Sequence, residues 1–586
     1  MEFKKSQFIL GISCFYHDAA ACLIKDGKIV AAAEEERFTR KKHDISFPIN
    51  AINYCLKEAG IAAREIDYIV FYEKPLLKFE RLLSQYIHTF PKSFWAFYKS
   101  VPSWLNEKLR VPSVIRKKLK YKGDILFIEH HMAHAASSYL VSPFKESAIL
   151  TIDGVGEWAT TAFGYAKGND ITITKEIHFP HSIGLLYSTV TAYLGFKVNN
   201  DEYKVMGLAP YGKPVYYDQF KKVIKVHEDG SYELDMDYFV YHYKLSMPSR
   251  KFIEEFGPPR KRESKVEQRH IDFAASVQKL TEDIMINMVN HLHKETKMDS
   301  LCLAGGVALN SVANGKILKN SPFKNVYIQA AASDAGTSLG AAFYAYNTIL
   351  GKERVYTMQD AYHGPSFSLD YIKKFLDKNG IKYSRFESEN ELLKETARLI
   401  YENNVIGWFQ DRMEWGPRAL GARSILSNAS NPDMKDILNL KVKHREQFRP
   451  FAPVVTLEDA YDYFEADKPM PIPADFMLMV YPIKEDKKSL IPSVTHVDGS
   501  GRLQTIRKEQ NRRYYNLIKE FQKLSNIPIL INTSFNIRGE PIVCTPEDAY
   551  RCMMGTGIDY LVLEDFLIAR KDNPKDMWDS EKIAKD

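Results

Sequence analysis

His130 and His134, four residues apart in the run His130-His131-Met132-Ala133-His134-Ala135-Ala136, are the chain's first chemical signal. An apolar, strand-like run from Ile125 to Ile128 precedes them, and a small-residue, helix-forming stretch comes after. On a helix that includes both, the two imidazoles share a face. Imidazole nitrogen is a borderline ligand suited to zinc, iron, cobalt or nickel. Taken alone, the pair also reads as a polar helix start beside a satisfied histidine. Two carboxylates at expected strand exits, Asp153 and Asp334, are its natural partners. Two imidazoles and two carboxylates make a transition-metal set.

Strand, then acid or glycine, then helix recurs near residues 11, 153, 305 and 334. Nucleotide sites in α/β folds are built from such strand exits converging on one crevice. The tip from Gly11 to Asp18, which includes His17, would place backbone amides at a sheet end, where they can cradle phosphate. Asp153-Gly154-Val155-Gly156 is a second such turn. In Gly305-Gly306-Val307-Ala308-Leu309-Asn310 the glycines let backbone approach a bulky ligand, and Asn310 opens the next helix. A metal beside a triphosphate can offset its charge and polarise a transferable carbonyl.

The elements that must position these groups are strands at Phe8 to Ile12, Ala19 to Ile24 and Ile29 to Ala33, joined by two hairpins. A helix from Ile49 to Ala59, closed by Gly60, and a strand from Ile66 to Phe71 come next. Residues 74 to 122, rich in aromatic and basic side chains, read as a helical insertion. Its expected role is to cover a core with a solvated cationic face, or to grip an anionic donor or acceptor group. It also resembles a membrane-surface segment, but prolines at 91, 102 and 112 break any long amphipathic stripe. Strands are expected from Ser147 to Ile152, Thr160 to Tyr165 and Ser300 to Ala304, and a long helix from Ile271 to about Lys294. Residues 213 to 262 read as polar and irregular.

A second region presents cations at Gly- and Pro-shaped turns: Arg418 and Arg423, then Lys441, Lys443, Arg445 and Arg449, then Arg502, and finally Arg538, in the same stretch as the neutral Asn532 and Ser534. Arg and Lys in separate loops are what a doubly anionic substrate needs.

At 586 residues the chain exceeds one hydrophobic core. Its net charge of +6 is too dilute to argue for nucleic acid. Six scattered cysteines without a CxxC pair suggest buried thiols rather than a disulfide scaffold or thiolate metal site. No run of 18 apolar residues occurs, so no integral membrane association is expected. His17 and Asp18 interrupt any signal-peptide core, and a soluble cytoplasmic protein is the expectation.

Ten stretches, among them GISCFYHDAAACLIKDG, EHHMAHAASSY, TIDGVGEWAT, LAGGVALNS, SDAGTSLGAA, EWGPRALGARSIL, KHREQFRPFAP and NTSFNIRGEPIV, resemble in content and order the O-carbamoyltransferases of the nodulation and antibiotic-tailoring family. The resemblance covers nearly the full length. It implies an α/β protein with an actin-like, sugar-kinase-like (ASKHA) transfer domain over 1–355, similar to the tRNA-threonylcarbamoylation ATPase. A boundary region over 356–389 and a YrdC-like domain over 390–586 complete the chain. The C-terminal domain would form carbamoyl-adenylate from carbamoyl phosphate and ATP with Mg2+. The N-terminal domain would pass the carbamoyl group to a hydroxyl of a small-molecule acceptor. The implied metal ligands are His130, His134 and Asp334, with Asp153 bound directly or through phosphate. Iron(II) is the family-like ion, and the donor set equally admits zinc, manganese or cobalt. Gly305, Gly306 and Asn310 would hold adenosine, with Gly11, Gly154 and Gly156 in the other nucleotide turns. His17 would orient or deprotonate the acceptor hydroxyl. Arg418, Lys443, Arg449 and Arg502 would bind the phosphates of carbamoyl phosphate and ATP. Asn532, Ser534 and Arg538 would orient carbamate and adenylate. A homodimer is an open expectation.

Two rival readings are an actin-like small-molecule kinase or ATPase, which leaves the second region's arginines idle, and a tRNA-modifying enzyme using 74 to 122 as an RNA patch.

Overall fold

A computed structural model describes residues 6–573. The chain divides into two compact units: residues up to Glu35 with Ile45–Met358, and Glu36–Asp44 with residues from Gln359 on.

The first unit is built on two five-stranded sheets of the same topology. In the first sheet, β1 (Phe8–Ser13), β2 (Ala20–Lys25) and β3 (Lys28–Glu34) form an antiparallel meander. β4 (Tyr68–Phe71) and β5 (Asp124–Phe127) then add in parallel, giving the order β3-β2-β1-β4-β5. The second sheet repeats the plan. β6 (Glu146–Ile152), β7 (Ala159–Lys167) and β8 (Asp170–His178) are antiparallel. A hairpin, β9 (Ile224–Val226) and β10 (Tyr232–Leu234), stands outside this sheet. β11 (Ser300–Ala304) and β12 (Asn325–Tyr327) join β6 in parallel, giving β12-β11-β6-β7-β8. The unit is α/β, as expected, and its mixed sheet is duplicated.

In both copies the last strand leads into a helix. Helix His130–Tyr139 succeeds β5, and helix Asp334–Phe343 succeeds β12. The two helices cross at backbone contact, because a Cβ on Gly340 would lie 1.9 Å from Ala133 O. Gly11 lies inside β1, where a Cβ would lie 1.8 Å from Ser338 O. β1 is thus pinned to the helix that carries Asp334.

Three features depart from the sequence expectations. β8 was not anticipated, although its alternating exposure is that of a half-covered edge strand. Residues 213 to 262 are not merely irregular: Phe220, Phe252 and Phe256 pack on Phe273 of helix Gln268–Thr296, with ring centroids 5.0, 6.2 and 5.2 Å from it. Residues 359–389, expected as part of a boundary region, cluster with the second unit and carry helix Leu369–Lys378.

The second unit holds a nine-stranded mixed sheet, ordered β13-β21-β20-β14-β15-β19-β16-β18-β17. Its strands are β13 (Ser384–Arg385), β14 (Ile406–Phe409), β15 (Arg423–Asn428), β16 (Ala452–Thr456) and β17 (Met479–Pro482), then β18 (Ser500–Ile506), β19 (Ile529–Ser534), β20 (Tyr560–Leu563) and β21 (Phe566–Ala569). Trp408, Leu426, Val454, Leu530 and Val562 form a buried core with Leu392 and Ile400 of helix Glu389–Tyr401 and Leu517 and Phe521 of helix Arg512–Ser525. The segment Glu36–Asp44 is fastened to this unit by Arg37 donating to Gly416 O (2.8 Å) and Arg40 donating to Ile542 O and Pro541 O (2.7 and 2.8 Å).

All six cysteines are buried thiols. No described helix is long and apolar enough to cross a membrane.

Candidate active site

In the first unit, His130 and His134 lie on the first turns of their helix and are buried. Their Nε2 atoms face each other at 3.1 Å. Asp153, just past the end of β6, places Oδ2 3.2 Å from His130 Nε2. Asp334, the first residue of its helix, places Oδ1 3.7 Å from His130 Nε2 and 3.6 Å from His134 Nε2. One donor atom from each of the four residues lies within 4.8 Å of the others. Two nitrogens bound to one ion at ~2.1 Å stand roughly 3.0 to 3.4 Å apart, so the imidazole spacing fits a shared cation. The electrostatics agree. Burial alone would lower the His130 pKa, but Asp334 and Asp153 outweigh it and raise it to about 9. Burial would raise Asp153, yet His130, His134 and the Gly306 N–H hold it well below the usual carboxylate range. Buried imidazoles and carboxylates that stabilise each other's charge in this way are a set that can exchange a proton for a metal ion.

Asp153 also links the cluster to the glycine turn: its Oδ1 accepts the Gly306 N–H at 2.9 Å. Gly305 has φ 96°, a left-handed conformation suited to glycine, and a Cβ there would meet Ile152 O at 2.2 Å. Asn310 caps helix Ser311–Asn320 by accepting the Ala313 N–H, and its amide pairs reciprocally with that of Gln278. Gly154 is sterically open, whereas Gly156 leaves room for His130 and His131, whose side-chain carbons lie within 3.1 Å of its notional Cβ. Gly11 is set apart from these turns by its place inside a strand.

His17 donates from Nε2 to Asn199 O at 2.8 Å and pairs through Nδ1 with Asp18 at 2.9 Å. Burial opposes its charge, but Asp18, Asp334 and the Asn199 carbonyl raise its pKa to about 10. Both ring nitrogens are thus engaged, which fixes the ring and leaves neither nitrogen free to deprotonate a hydroxyl in this arrangement. His131 is buried: Nε2–H donates to Ala159 O at 3.0 Å, so Nδ1 accepts from Thr151 Oγ1 at 2.7 Å. Burial and the two neighbouring imidazoles push its pKa well down, which keeps it neutral and structural.

Glu157 has a role the sequence did not suggest. Both its carboxylate oxygens accept the His130 N–H, each at 3.1 Å, and Oε1 also accepts the Lys74 N–H at 2.7 Å. An acceptor at a helix start satisfies amides that have no partner within the helix. Glu157 therefore fixes the turn that presents His130.

The second unit collects the predicted cations. Arg502, on β18, is held well below the ordinary arginine range by burial and then by the charges of Arg418 and Arg449. Its Nε is buried without a hydrogen-bond partner among the described residues. Arg449 and Arg538 both reach Glu446, at 3.6 and 3.9 Å. Lys443 is buried and donates to Asn536 Oδ1 and O (2.8 and 3.0 Å) and to Ser534 Oγ and O, with Ser534 Oγ at 3.3 Å. Burial, Arg445 and Arg449 depress its pKa well below the usual lysine value. Asn532 donates to Ala419 O and Gln504 Oε1 (3.1 and 2.6 Å), while its buried Oδ1 has no partner among the described residues.

Arg423 differs from Arg418. Its guanidinium is fully buried and donates to the carbonyls of Gln410, Asp411, Ala422 and Pro365, so it is structural. Glu414 was not singled out from sequence, yet its Oε1 accepts the N–H groups of Leu420, Ala422 and Arg423 at 2.7, 2.7 and 3.0 Å. It shapes the loop that carries Arg418. His496, also missed, lies near Arg502; burial and the charges of Arg502 and Lys435 lower it to about 4, against the pull of Asp498.

The family model for the carbamoyltransferase N-terminus matches residues 8–343, and that for the carbamoyltransferase C-terminus matches residues 397–570. An uncharacterised protein of Synechocystis sp. is 49% identical over 97% of this chain and 97% of its own length. Nodulation protein NolNO of Sinorhizobium fredii is 36% identical over 96% of this chain and 80% of its own length. Among solved structures, component A of (R)-2-hydroxyglutaryl-CoA dehydratase from Acidaminococcus fermentans overlays with TM-score 0.33 and 14% identity, covering 59% of this chain and 99% of that one.

Proposed function

Since the chain belongs to the carbamoyltransferase family, whose N- and C-terminal models it matches in order, and is a transferase, we propose that it makes carbamoyl-adenylate in its second unit and transfers the carbamoyl group to a small-molecule hydroxyl in its first. One observation carries the first half: Arg502, half-buried with its Nε sealed from solvent, feels the charges of two further guanidiniums, Arg418 and Arg449. Cations gathered at a partly desolvated site favour an anion that can bridge them. Carbamoyl phosphate and the triphosphate of ATP, the latter with Mg2+, are anions of that kind.

In the second unit water splits carbamoyl phosphate into carbamate and inorganic phosphate. A carbamate oxygen attacks the α-phosphorus of ATP, and the bond to pyrophosphate breaks. Arg418, Arg449 and Arg502 hold phosphoryl oxygens and offset the charge that builds there. Lys443, set by Ser534 and Asn536, contributes a further donor. Asn532 Oδ1 accepts from the carbamate amide, and Arg538 aligns the adenylate.

In the first unit the acceptor oxygen attacks the carbamoyl carbon, the carbon–oxygen bond to AMP breaks, and the hydroxyl proton is lost. The turn of Gly305, Gly306 and Asn310 binds the adenosine, and His17 orients the acceptor once its Nε2–H turns from Asn199 O to the hydroxyl. His130, His134, Asp153 and Asp334 would hold a divalent ion, iron(II) by family expectation. Such an ion supplies electrophilic stabilisation of charge developing on the carbonyl oxygen. Acceptor classes compatible with this chemistry include sugars, aminoglycosides, macrolides and lipid-linked oligosaccharides.

The direct test is release of pyrophosphate from ATP. Release that depends on carbamoyl phosphate supports the reading. Its absence in folded, metal-loaded protein would defeat the adenylate route and favour a kinase or ATPase.

A further inference from the structure

Residues 74 to 122 carry twelve Lys or Arg against two Glu, a net +10, whereas the rest of a chain of net +6 sums to −4. The same segment holds a cluster of exposed large apolar side chains. Trp95 and Phe90 are each 69% exposed and Tyr98 is 65% exposed, with Phe94, Ile87 and Leu105 also open to solvent. The arrangement is ordered. Helix Phe94–Asn106 turns Trp104 inward onto Phe79 of helix Pro75–His88, with ring centroids 5.7 Å apart. Tyr86 of that helix packs on Phe97 and hydrogen-bonds Ser100 at 2.9 Å. With its inner face so occupied, the helix presents Phe94, Trp95 and Tyr98 outward as one ridge, in successive edge contacts of 5.4 and 6.3 Å. The exposed Lys92 and Lys99 flank this ridge. Pro91 falls between helices Pro75–His88 and Phe94–Asn106, and Pro112 lies in the first turn of helix Val111–Leu119, so the long stripe is divided there as the sequence suggested; Pro102 lies inside its helix.

Exposed aromatic ridges of this size mark interaction surfaces. The charge decides which kind. A second copy of this chain on a two-fold axis would bring one strongly cationic face against another. A bilayer that contains anionic lipid offers instead an apolar layer for the rings and negative headgroups for the lysines, the usual division of labour in interfacial helices. We propose that helix Phe94–Asn106 and its flanking lysines dock the enzyme peripherally on anionic membrane surfaces. This inference does not depend on the chemistry of either candidate site.

The test is co-flotation of the full-length protein with vesicles of phosphatidylcholine mixed with phosphatidylglycerol, beside vesicles of phosphatidylcholine alone. Binding to the anionic vesicles, weakened by added salt, is expected. The exposed changes Lys92→Gln and Lys99→Gln should each weaken it by about fivefold, and Phe94→Ser with Trp95→Ser should abolish it. Carbamoyl-phosphate-dependent pyrophosphate release without vesicles should be unchanged in these variants, provided that release occurs at all. No flotation with anionic vesicles would overturn the proposal, as would binding indifferent to these changes. Loss of a dimer on Trp95→Ser, without lipid binding by the parent, would assign the ridge to a second copy instead.

Discussion

Gly340 and Ala133 meet where a side chain on the glycine would stand 1.9 Å from the alanine's carbonyl oxygen. This contact joins the helices that end the two duplicated sheets, and those helices supply Asp334 on one side and His130 and His134 on the other. The candidate metal centre is therefore built at the seam of a structural duplication.

Gly340→Ala should force these helices apart. The expected cost is about 3 kcal/mol in stability, near the upper end for overpacking a core, together with loss of bound metal. Calorimetry and elemental analysis of the purified protein check both. Wild-type melting and metal content in the variant would show that the crossing does not position the cluster.

His131 and His134 should separate cleanly. His131→Ala strips Thr151 and the Ala159 carbonyl of their buried partner, at a cost of about 2 to 4 kcal/mol, but should leave metal binding in place. His134→Ala should lose the metal at a smaller cost to the folded metal-free protein. If His131→Ala alone emptied the site, the ligand assignment would be wrong.

Glu414→Ala should damage adenylation without touching metal content. Three backbone N–H groups lose their acceptor, and the loop carrying Arg418 loses its shape. Pyrophosphate release should fall by at least ~10-fold, by analogy with other supporting contacts around binding groups, and Glu414→Gln should recover part of it. Equal activity of the alanine variant and the parent would remove Glu414 from the account.

Lys443 provides a pH test. Burial first, then Arg445 and Arg449, lowers its folded-state pKa well below the ordinary value of 10.5. Between that lowered value and the unfolded value near ~10.4, the unfolded chain binds more protons, so stability rises with pH. Below the lowered value the group is charged in both states, and the full penalty of burying it applies. Denaturant unfolding across this range should show the parent gaining stability relative to Lys443→Met as pH rises. Parallel pH profiles would mean that the amine is not held in a disfavoured charged state.

Local chemistry was the most legible part of the sequence. Helix Ile49–Ala59 ends where Gly60 adopts φ 66°, and β11 spans the expected Ser300 to Ala304. The histidine pair and the two strand-exit aspartates could be read because ligand chemistry restricts residue type. Contacts across long sequence separations could not. Glu157 caps a helix 27 residues before it, a pairing with no spacing signature. Gly11 resembles a phosphate turn in sequence, but its missing side chain serves contact with Ser338. Arg418 and Arg423 share one motif, and only the carbonyls gathered around Arg423 reveal it as structural. The segment Glu36–Asp44 comes directly after β3, and only its bonds to Gly416, Pro541 and Ile542 place it with the second unit.

The division of labour between the units is tested most directly by measuring both partial reactions in two variants, Arg449→Ala and His130→Ala. In each, one assay tracks carbamoyl-phosphate-dependent pyrophosphate release, and the other tracks transfer from supplied carbamoyl-adenylate to an acceptor, read as the mass of one added carbamoyl group. Arg449→Ala should lose pyrophosphate release and keep transfer. His130→Ala should keep pyrophosphate release and lose transfer. If both variants lost the same partial reaction, the two sites would not be divided in this way.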